Sequence, residues 1–227
     1  TKHISGLDKF FNIRSVENLR AISELEYLPE TKNEILSFSN YFNKDEVKSL
    51  IGKNASEINL RNSSFYNYKY IHIASHGLTS GNLKLREPGL ALTPGNYIDG
   101  EINDGILTAS EISELNFNTD TVILSACETA TDYGKKYADG ITGLSLSFLK
   151  AGASEIVVSQ WKVDDTATSK LFMNSIKTNE KNEIIFNIAS GMEKVKIKNP
   201  SPYYWSGFIK VSTPSRYNRK ISYKKEH

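Results

Sequence analysis

A histidine and the only cysteine of the chain each follow a run of β-forming residues. His76 comes directly after residues 70–75, and Cys127 directly after residues 121–126. If the two runs are parallel neighbours in one sheet, both side chains emerge at its carboxyl edge, where open α/β sheets bind their ligands. An imidazole beside a thiol can take its proton and stabilise the thiolate, which is how cysteine nucleophiles are activated. The pair therefore predicts thiol chemistry at this edge.

Each residue of the pair also has an ordinary structural interpretation. A single cysteine after a strand is usually a small buried hydrophobe, and a His-Gly step is usually a turn. Their joint placement at matching strand ends, 51 residues apart (127 − 76), weakens that interpretation without removing it. The pattern alone leaves both open. His72 alternates with Ile71 and Ile73 inside the first run, and we interpret it as structural.

Several other kinds of site are excluded because their motifs are missing. The chain has neither a glycine-rich phosphate loop of the G-x-x-x-x-G-K-[ST] type nor a G-x-G-x-x-G fingerprint. Its nearest match to a serine hydrolase elbow, residues 143–147, lacks the second glycine. A cysteine phosphatase loop needs an arginine six residues after the thiol, where this chain has Tyr133. The four histidines are too scattered for a metal site. We predict no metal and no cofactor.

The elements that must position the pair follow from the hydrophobic pattern. Runs at 70–75, 121–126 and 155–160 alternate with amphipathic stretches of helical length, which is typical of an α/β fold with a mostly parallel sheet. Helices are predicted over residues 30–42, from a cap at Asp139 to about residue 150, after a cap at Asp164 or Asp165, and over 183–196. Residues 77–107 are rich in glycine and contain prolines, which indicates long loops with room for a hairpin.

Composition limits the class of protein and its partners. The 227 residues, with 39% hydrophobic and 24% charged residues, suit one large globular domain or a domain with an appendage. One cysteine cannot form an internal disulfide, and we see no leader peptide and no membrane-spanning run, so we expect a cytoplasmic protein. The net charge of +2 comes from the basic tail at residues 212–227, and the remaining body is slightly acidic. We therefore expect no direct contact with nucleic acid or membrane.

Both strand ends lie in longer blocks that occur in a recognisable order. Residues 70–77 read Y-I-H-I-A-S-H-G and residues 124–129 read L-S-A-C-E-T. Further blocks are D-G-I-L-T-A-S-E-I at 104–112, W-K-V-D-D at 161–165 and P-Y-Y-W at 202–205. This order resembles that of CHAT domains, caspase-like cysteine peptidases of clan CD often found with tetratricopeptide repeats. Caspases likewise place the histidine about 50 residues before the cysteine.

The resemblance implies a role for each matching residue. Cys127 would be the nucleophile, His76 the proton carrier, and the backbone N–H groups of Gly77 and Cys127 the oxyanion hole. Glu128 would line the substrate pocket or brace the loop, and we favour bracing. The segment of Ser159, Gln160 and Trp161 would pair with an extended substrate by strand addition. Asp164 and Asp165 would form a charged pocket or, as we favour, cap a helix.

The resemblance also predicts domain organisation and function. It is strongest over residues 28–211, so we expect a single caspase-like domain over residues 1–211, without the strand and helix that usually precede this part of the fold. The expected function is a bacterial cysteine endopeptidase that cuts a specific protein partner, under the control of a sensor region or partner protein, in defence or signalling. The alternatives are a non-catalytic peptide-binding scaffold and a thiol redox sensor.

Overall fold

The computed structural model describes residues 22–25, 28–65, 68–80, 85–95, 103–125, 135–161, 163–180 and 184–213, with the backbone alone for 135–141 and Asp165. Its helices are α1 Pro29–Ser39, α2 Glu57–Arg61, α3 Ala109–Glu114, α4 Lys135–Lys150, α5 Asp165–Ser175 and α6 Ile188–Lys198. Its strands are β1 Tyr70–Ile73, β2 Gly77–Leu78, β3 Gly89–Ala91, β4 Ile106–Thr108, β5 Thr121–Leu124, β6 Glu155–Ser159, β7 Ile176–Thr178, β8 Ile184–Phe186 and β9 Phe208–Ser212.

The three β-branched runs of the sequence become neighbours in a four-stranded sheet of order β1-β5-β6-β9. β1, β5 and β6 are parallel to one another, and β9 adds to the β6 edge in the antiparallel direction. The mostly parallel sheet with helices around it confirms the predicted α/β, caspase-like class.

Alternation along the central strands builds a core on each face of this sheet. Val122 and Leu124 join one buried cluster with Phe148 of α4. Ile123, between them, joins the cluster on the opposite face with Phe172 of α5. A strand covered on both faces must be apolar at every position, which explains why β5 reads as a continuous apolar run instead of an alternating one.

The hairpin that we allowed within the loops of residues 77–107 is confirmed, but the region holds more strand than one hairpin. β2, β3 and β4 form a separate antiparallel sheet of order β2-β3-β4, with Gly77 opposite Leu90 and Leu90 opposite Leu107. Each of these strands has only two or three residues, too few to show an alternating pattern in the sequence.

Helix boundaries also differ from the prediction, and α1 ends at Ser39, three residues before the expected end at residue 42. α4 begins at Lys135, so Asp139 lies inside the helix and is not its cap. The last helix begins only at Ile188, after an N-cap whose Asn187 side chain accepts a hydrogen bond from the N–H of Ser190. The three residues of β8, which we expected in the first turn of that helix, pair with β7 instead. Within the described ranges, no helix combines the length and apolar character needed to cross a bilayer.

A buried carboxylate and imidazole tie α1 to the main sheet. Glu34 Oε1 lies 2.6 Å from His72 Nε2, and the two side chains are only 5% and 3% exposed. The same nitrogen lies 3.2 Å from Ser125 Oγ. Phe38 and Phe172 meet the imidazole ring edge-on. Since acid and hydroxyl share one nitrogen, these three residues do not form a Ser-His-Glu triad, and His72 is structural, as we interpreted it.

We expect the Glu34–His72 pair to be a large contributor to stability. Glu34→Ala should lower the free energy of unfolding by about 3 kcal/mol or more, because it removes the carboxyl group that contacts the buried His72 imidazole and leaves that nitrogen only the longer contact to Ser125 Oγ. Urea unfolding of Glu34→Ala, His72→Ala and the double variant measures the coupling, and the double variant should lose less than the sum of the single losses. Lys32→Ala, an exposed change on the same helix, should stay within about 0.5 kcal/mol of wild type. Additive losses would contradict this account.

Candidate active site

The register of β1 and β5 relates His76 to Cys127. Ile73 pairs with Leu124, and the bond from the N–H of Ser125 to the carbonyl of Ile73, at 3.1 Å, extends this pairing past the strand end. Partners across the two strands therefore differ by 51 in residue number, the same separation as His76 and Cys127. Both residues come three positions after the last paired residues of their strands. The expectation that the two runs are parallel neighbours is confirmed.

His76 is held at the junction between the two sheets. Its carbonyl accepts a hydrogen bond of 2.9 Å from the N–H of Ala91 in β3. The hydroxyl of the preceding Ser75 donates to the carbonyl of the same Ala91. His76 is 8% exposed. The backbone on both sides of the imidazole is thus fixed by β3, which limits how far the histidine can move.

The N–H of Gly77 points away from β3. In an antiparallel pair, hydrogen-bonded and non-hydrogen-bonded residue pairs alternate. The bond between Ala91 and His76 makes theirs a hydrogen-bonded pair, so Gly77 and Leu90 form the next, non-hydrogen-bonded pair. The Gly77 amide is therefore not used by the β2–β3 pairing and is directed away from β3.

The other predicted site residues fall into three groups, of which the last, Asp164 and Asp165, lies at the start of α5. Cys127 and Glu128 lie outside the residues that the structure describes, so their predicted roles stay predictions. Ser159, Gln160 and Trp161 lie at the carboxyl end of β6, the same edge as the ends of β1 and β5.

At this end of β6 the backbone of Ser159 and Gln160 is paired on its β9 side, and the Trp161 side chain is hydrogen-bonded. Ser159 is fully buried and pairs with Phe208 of β9, and Gln160 donates its N–H to the carbonyl of Gly207. The side chain of Gln160 is exposed. Trp161 is half-buried, and its indole N–H donates to the carbonyl of Tyr203 at 3.1 Å. The Trp161 ring lies so close to Gly207 that a Cβ there would approach it to 2.9 Å.

Asp164 is the N-cap of α5. Its Oδ1 accepts a hydrogen bond of 2.9 Å from the N–H of Ala167. The structure confirms the helix cap that we favoured for this pair of aspartates. Asp165 is the first residue of α5.

A cluster of charged residues that was not predicted from the sequence joins α2 to the turn before β4 and to α3. Glu57, at the start of α2, is 2% exposed, and its Oε2 accepts a hydrogen bond of 3.2 Å from the N–H of Gly105. Arg61 Nη2 lies 3.6 Å from Glu57 Oε1 and 2.9 Å from Glu111 Oε1. Gly105 and Glu111 both belong to the block at 104–112, so the signal was present in that block.

The block at 104–112 also contains β4 and the start of α3. Thr108 and Glu111 form a capping box at the first turn of α3, with Thr108 N–H donating to Glu111 Oε2 at 2.8 Å. Asp104 Oδ1 accepts from the N–H of Ile106 at 2.9 Å. Burial, with the negative charges of Glu111 and Asp104 nearby, raises the pKa of Glu57 to about 7, against the opposing effects of Arg61 and the Gly105 N–H.

Glu57 should make stability depend on pH near neutrality. Its folded pKa lies above the ordinary value of 4.5, so the stabilisation from its protonated form is complete below about pH 4.5 and is lost as the pH rises through about 7. The loss should approach about 3 kcal/mol at most. Urea unfolding from pH 4.5 to 8.5 should show this component in wild type and not in Glu57→Gln. Parallel pH curves for the two proteins would contradict it.

Comparison with known proteins gives the family. The model of the family described as CHAT domain matches residues 17–213. Tetratricopeptide repeat protein 28 of Mus musculus is 31% identical over 121 residues, which are 48% of this chain and 5% of that protein. Its namesake from Homo sapiens is 30% identical over 122 residues, which are 52% of this chain and 5% of that protein. The chain thus matches about one twentieth of the length of these curated relatives. The family match covers most of this chain and confirms the resemblance drawn from its sequence blocks: the chain belongs to the CHAT domain family.

Proposed function

We propose that this domain is a cysteine endopeptidase in which Cys127 is the nucleophile and His76 carries the proton. One observation carries the proposal. Paired residues of β1 and β5 differ by 51 in residue number, and so do His76 and Cys127. Two strands held in parallel register deliver their following residues to one edge of the sheet. The caspase-like fold of the family agrees with this placement.

The reaction divides into two acyl-transfer steps. The Cys127 thiolate attacks the peptide carbonyl carbon, and the negative charge moves to the carbonyl oxygen, where the N–H groups of Gly77 and Cys127 would receive it. His76 gives its proton to the departing amine nitrogen as the C–N bond breaks, which leaves a thioester on Cys127. Water then loses a proton to His76 and attacks the thioester. The C–S bond then breaks, which releases the carboxylic acid and restores the Cys127 thiolate beside the protonated His76. The acid gives its proton to solvent and leaves as a carboxylate.

The direction of the Gly77 amide supports its part in this scheme. An oxyanion hole needs an N–H group that is fixed in position and not already bonded within a strand pair. The Gly77 N–H is not bonded to β3, because Gly77 and Leu90 form a non-hydrogen-bonded pair. The neighbouring residue, His76, is held by its hydrogen bond to Ala91 of β3. We infer that an extended substrate peptide approaches this edge near Gln160 and Trp161, whereas Asp164 is engaged as a helix cap.

The partners and setting of the protein complete the proposal. The substrate is a protein with a specific cut site, and a regulatory region or partner protein controls access to it. The role in bacterial defence or signalling and the cytoplasmic location stay predictions, since the two relatives reported above are mammalian and their names give no activity.

The single cysteine makes thiol activation measurable without knowledge of the substrate. Alkylation by iodoacetamide at pH 7 should be about tenfold slower in His76→Ala than in wild type, because an unassisted thiol is only a few per cent ionised at that pH. His3→Ala, a change of a histidine outside the proposed pair, should alkylate at the wild-type rate. Equal rates for wild type and His76→Ala would contradict the proposed pair.

Cleavage itself should depend on both residues. Mass spectrometry of new protein N-termini in a proteome treated with wild type should reveal a defined set of cut sites. Cys127→Ala and His76→Ala, checked as folded by circular dichroism, should each lose about a thousandfold or more of that activity. Either variant cutting at the wild-type rate would disprove the assignment. A folded wild type that neither cuts nor reacts with peptide-based electrophiles would instead indicate a peptide-binding scaffold.

A further inference from the structure

The carboxyl group of Glu57 has no place in the proposed chemistry, yet it is almost completely buried. Its Oε2 accepts a hydrogen bond of 3.2 Å from the N–H of Gly105, a residue 48 positions away in the sequence. Burying a carboxyl group costs free energy unless the group is hydrogen-bonded. The hydrogen bond of Glu57 fixes the turn that leads into β4.

This turn has a conformation that only glycine adopts readily. Gly105 has φ of +82°, and a Cβ there would lie 3.0 Å from the carbonyl oxygen of Leu92 and 3.0 Å from Cα of Pro94. The carbonyl of Gly105 accepts a hydrogen bond of 2.7 Å from the N–H of Leu92. The peptide groups of the turn therefore link Glu57 directly to the residue that follows β3.

From β3 the chain of contacts continues to the histidine. Ala91, next to Leu92, donates its N–H to the carbonyl of His76 at 2.9 Å. The loop before Glu57 holds the same segment a second time, since Thr93 donates its N–H to Ala55 and its hydroxyl to Gly52, both at 2.8 Å. Three hydrogen bonds thus connect the Glu57 carboxyl to the backbone of His76: Gly105 to Glu57, Leu92 to Gly105, and Ala91 to His76.

We propose that Glu57 is a positioning residue for His76 and Gly77, acting through the Gly105 turn and β3. The inference rests on the proposed function, because it concerns where the imidazole and the Gly77 amide are held. Glu57 touches neither the thiol nor the substrate. A displacement of the imidazole by a fraction of an ångström is enough to slow proton transfer, so a remote anchor of its backbone affects the rate.

The charged groups around Glu57 decide which variant imitates it. Glu111 of α3, Asp104 before β4 and Arg61 of its own helix face it. Glutamine keeps the length and the acceptor oxygen for the Gly105 N–H and carries no charge. Aspartate keeps the charge but withdraws the oxygen by one methylene, and alanine removes the acceptor. A positioning role predicts that glutamine replaces Glu57 and that aspartate and alanine do not.

The test measures iodoacetamide alkylation of the single cysteine at pH 6.5, together with hydrogen exchange of the Ala91 and Leu92 amides, in folded full-length protein. Glu57→Ala and Glu57→Asp should slow alkylation about fivefold to tenfold and lower the protection of both amides. Glu57→Gln should stay within about twofold of wild type. Glu114→Ala, the loss of an exposed carboxylate on α3, should change neither measurement.

The outcomes separate the inference from the proposed function. If His76→Ala slows alkylation but folded Glu57→Asp and Glu57→Ala alkylate like wild type, the dyad stands and the positioning role is wrong. If His76→Ala alkylates at the wild-type rate, the dyad is wrong. In that case hydrogen exchange still tests the positioning role, and unchanged protection of the Ala91 amide in Glu57→Asp would overturn it. If Glu57→Ala fails to fold, the comparison of Glu57→Asp with Glu57→Gln decides. Equal alkylation rates for these two variants would overturn the positioning role.

Discussion

The parallel pairing of β1 with β5 is the constraint on which the rest of the site depends. Ladder hydrogen bonds fix the register to a single residue, since a slip by one would exchange the side chains that pack in the two cores. Val122 and Leu124 on one face and Ile123 on the other are all fully buried, so both cores oppose such a slip. Because the register is fixed, the chain leaves β1 and β5 at the same edge of the sheet.

The large sheet determines the edge at which His76 lies, and the small sheet of β2, β3 and β4 holds the backbone of His76 there. Parallel strands bring His76 to the correct edge, but a residue three positions beyond a strand end still has freedom of movement. The hydrogen bond from Ala91 removes much of this freedom and, through the alternation of the ladder, sets the direction of the Gly77 amide. The buried carboxyl of Glu57 and the turn at Gly105 connect this small sheet to α2. The site is therefore supported from two independent directions.

The fold class and the strands next to the site were predictable because β1, β5 and β6 carry enough β-branched and apolar residues to be recognised. The cap at Asp164 was predictable for the same local reason, since a capping carboxylate needs only the residues that follow it. β8 was not, because Ile184, Ile185 and Phe186 suit a helix as well as a strand, and only the pairing with β7 decides between them. Glu57 was missed because its hydrogen-bond partner Gly105 is 48 positions away in the sequence, and Glu111 joins the cluster only through Arg61.

The most direct test of the central claim is whether Cys127 and His76 are neighbours in solution. 1,3-Dibromoacetone first alkylates a thiol and can then bond to a nearby imidazole nitrogen, so that two bromides leave and a three-carbon bridge remains. Since the chain has one cysteine, mass spectrometry of the digested protein identifies the bridged histidine without ambiguity. The account predicts a bridge between Cys127 and His76. A bridge to His72 instead, or a thiol modified without any bridge, would contradict it.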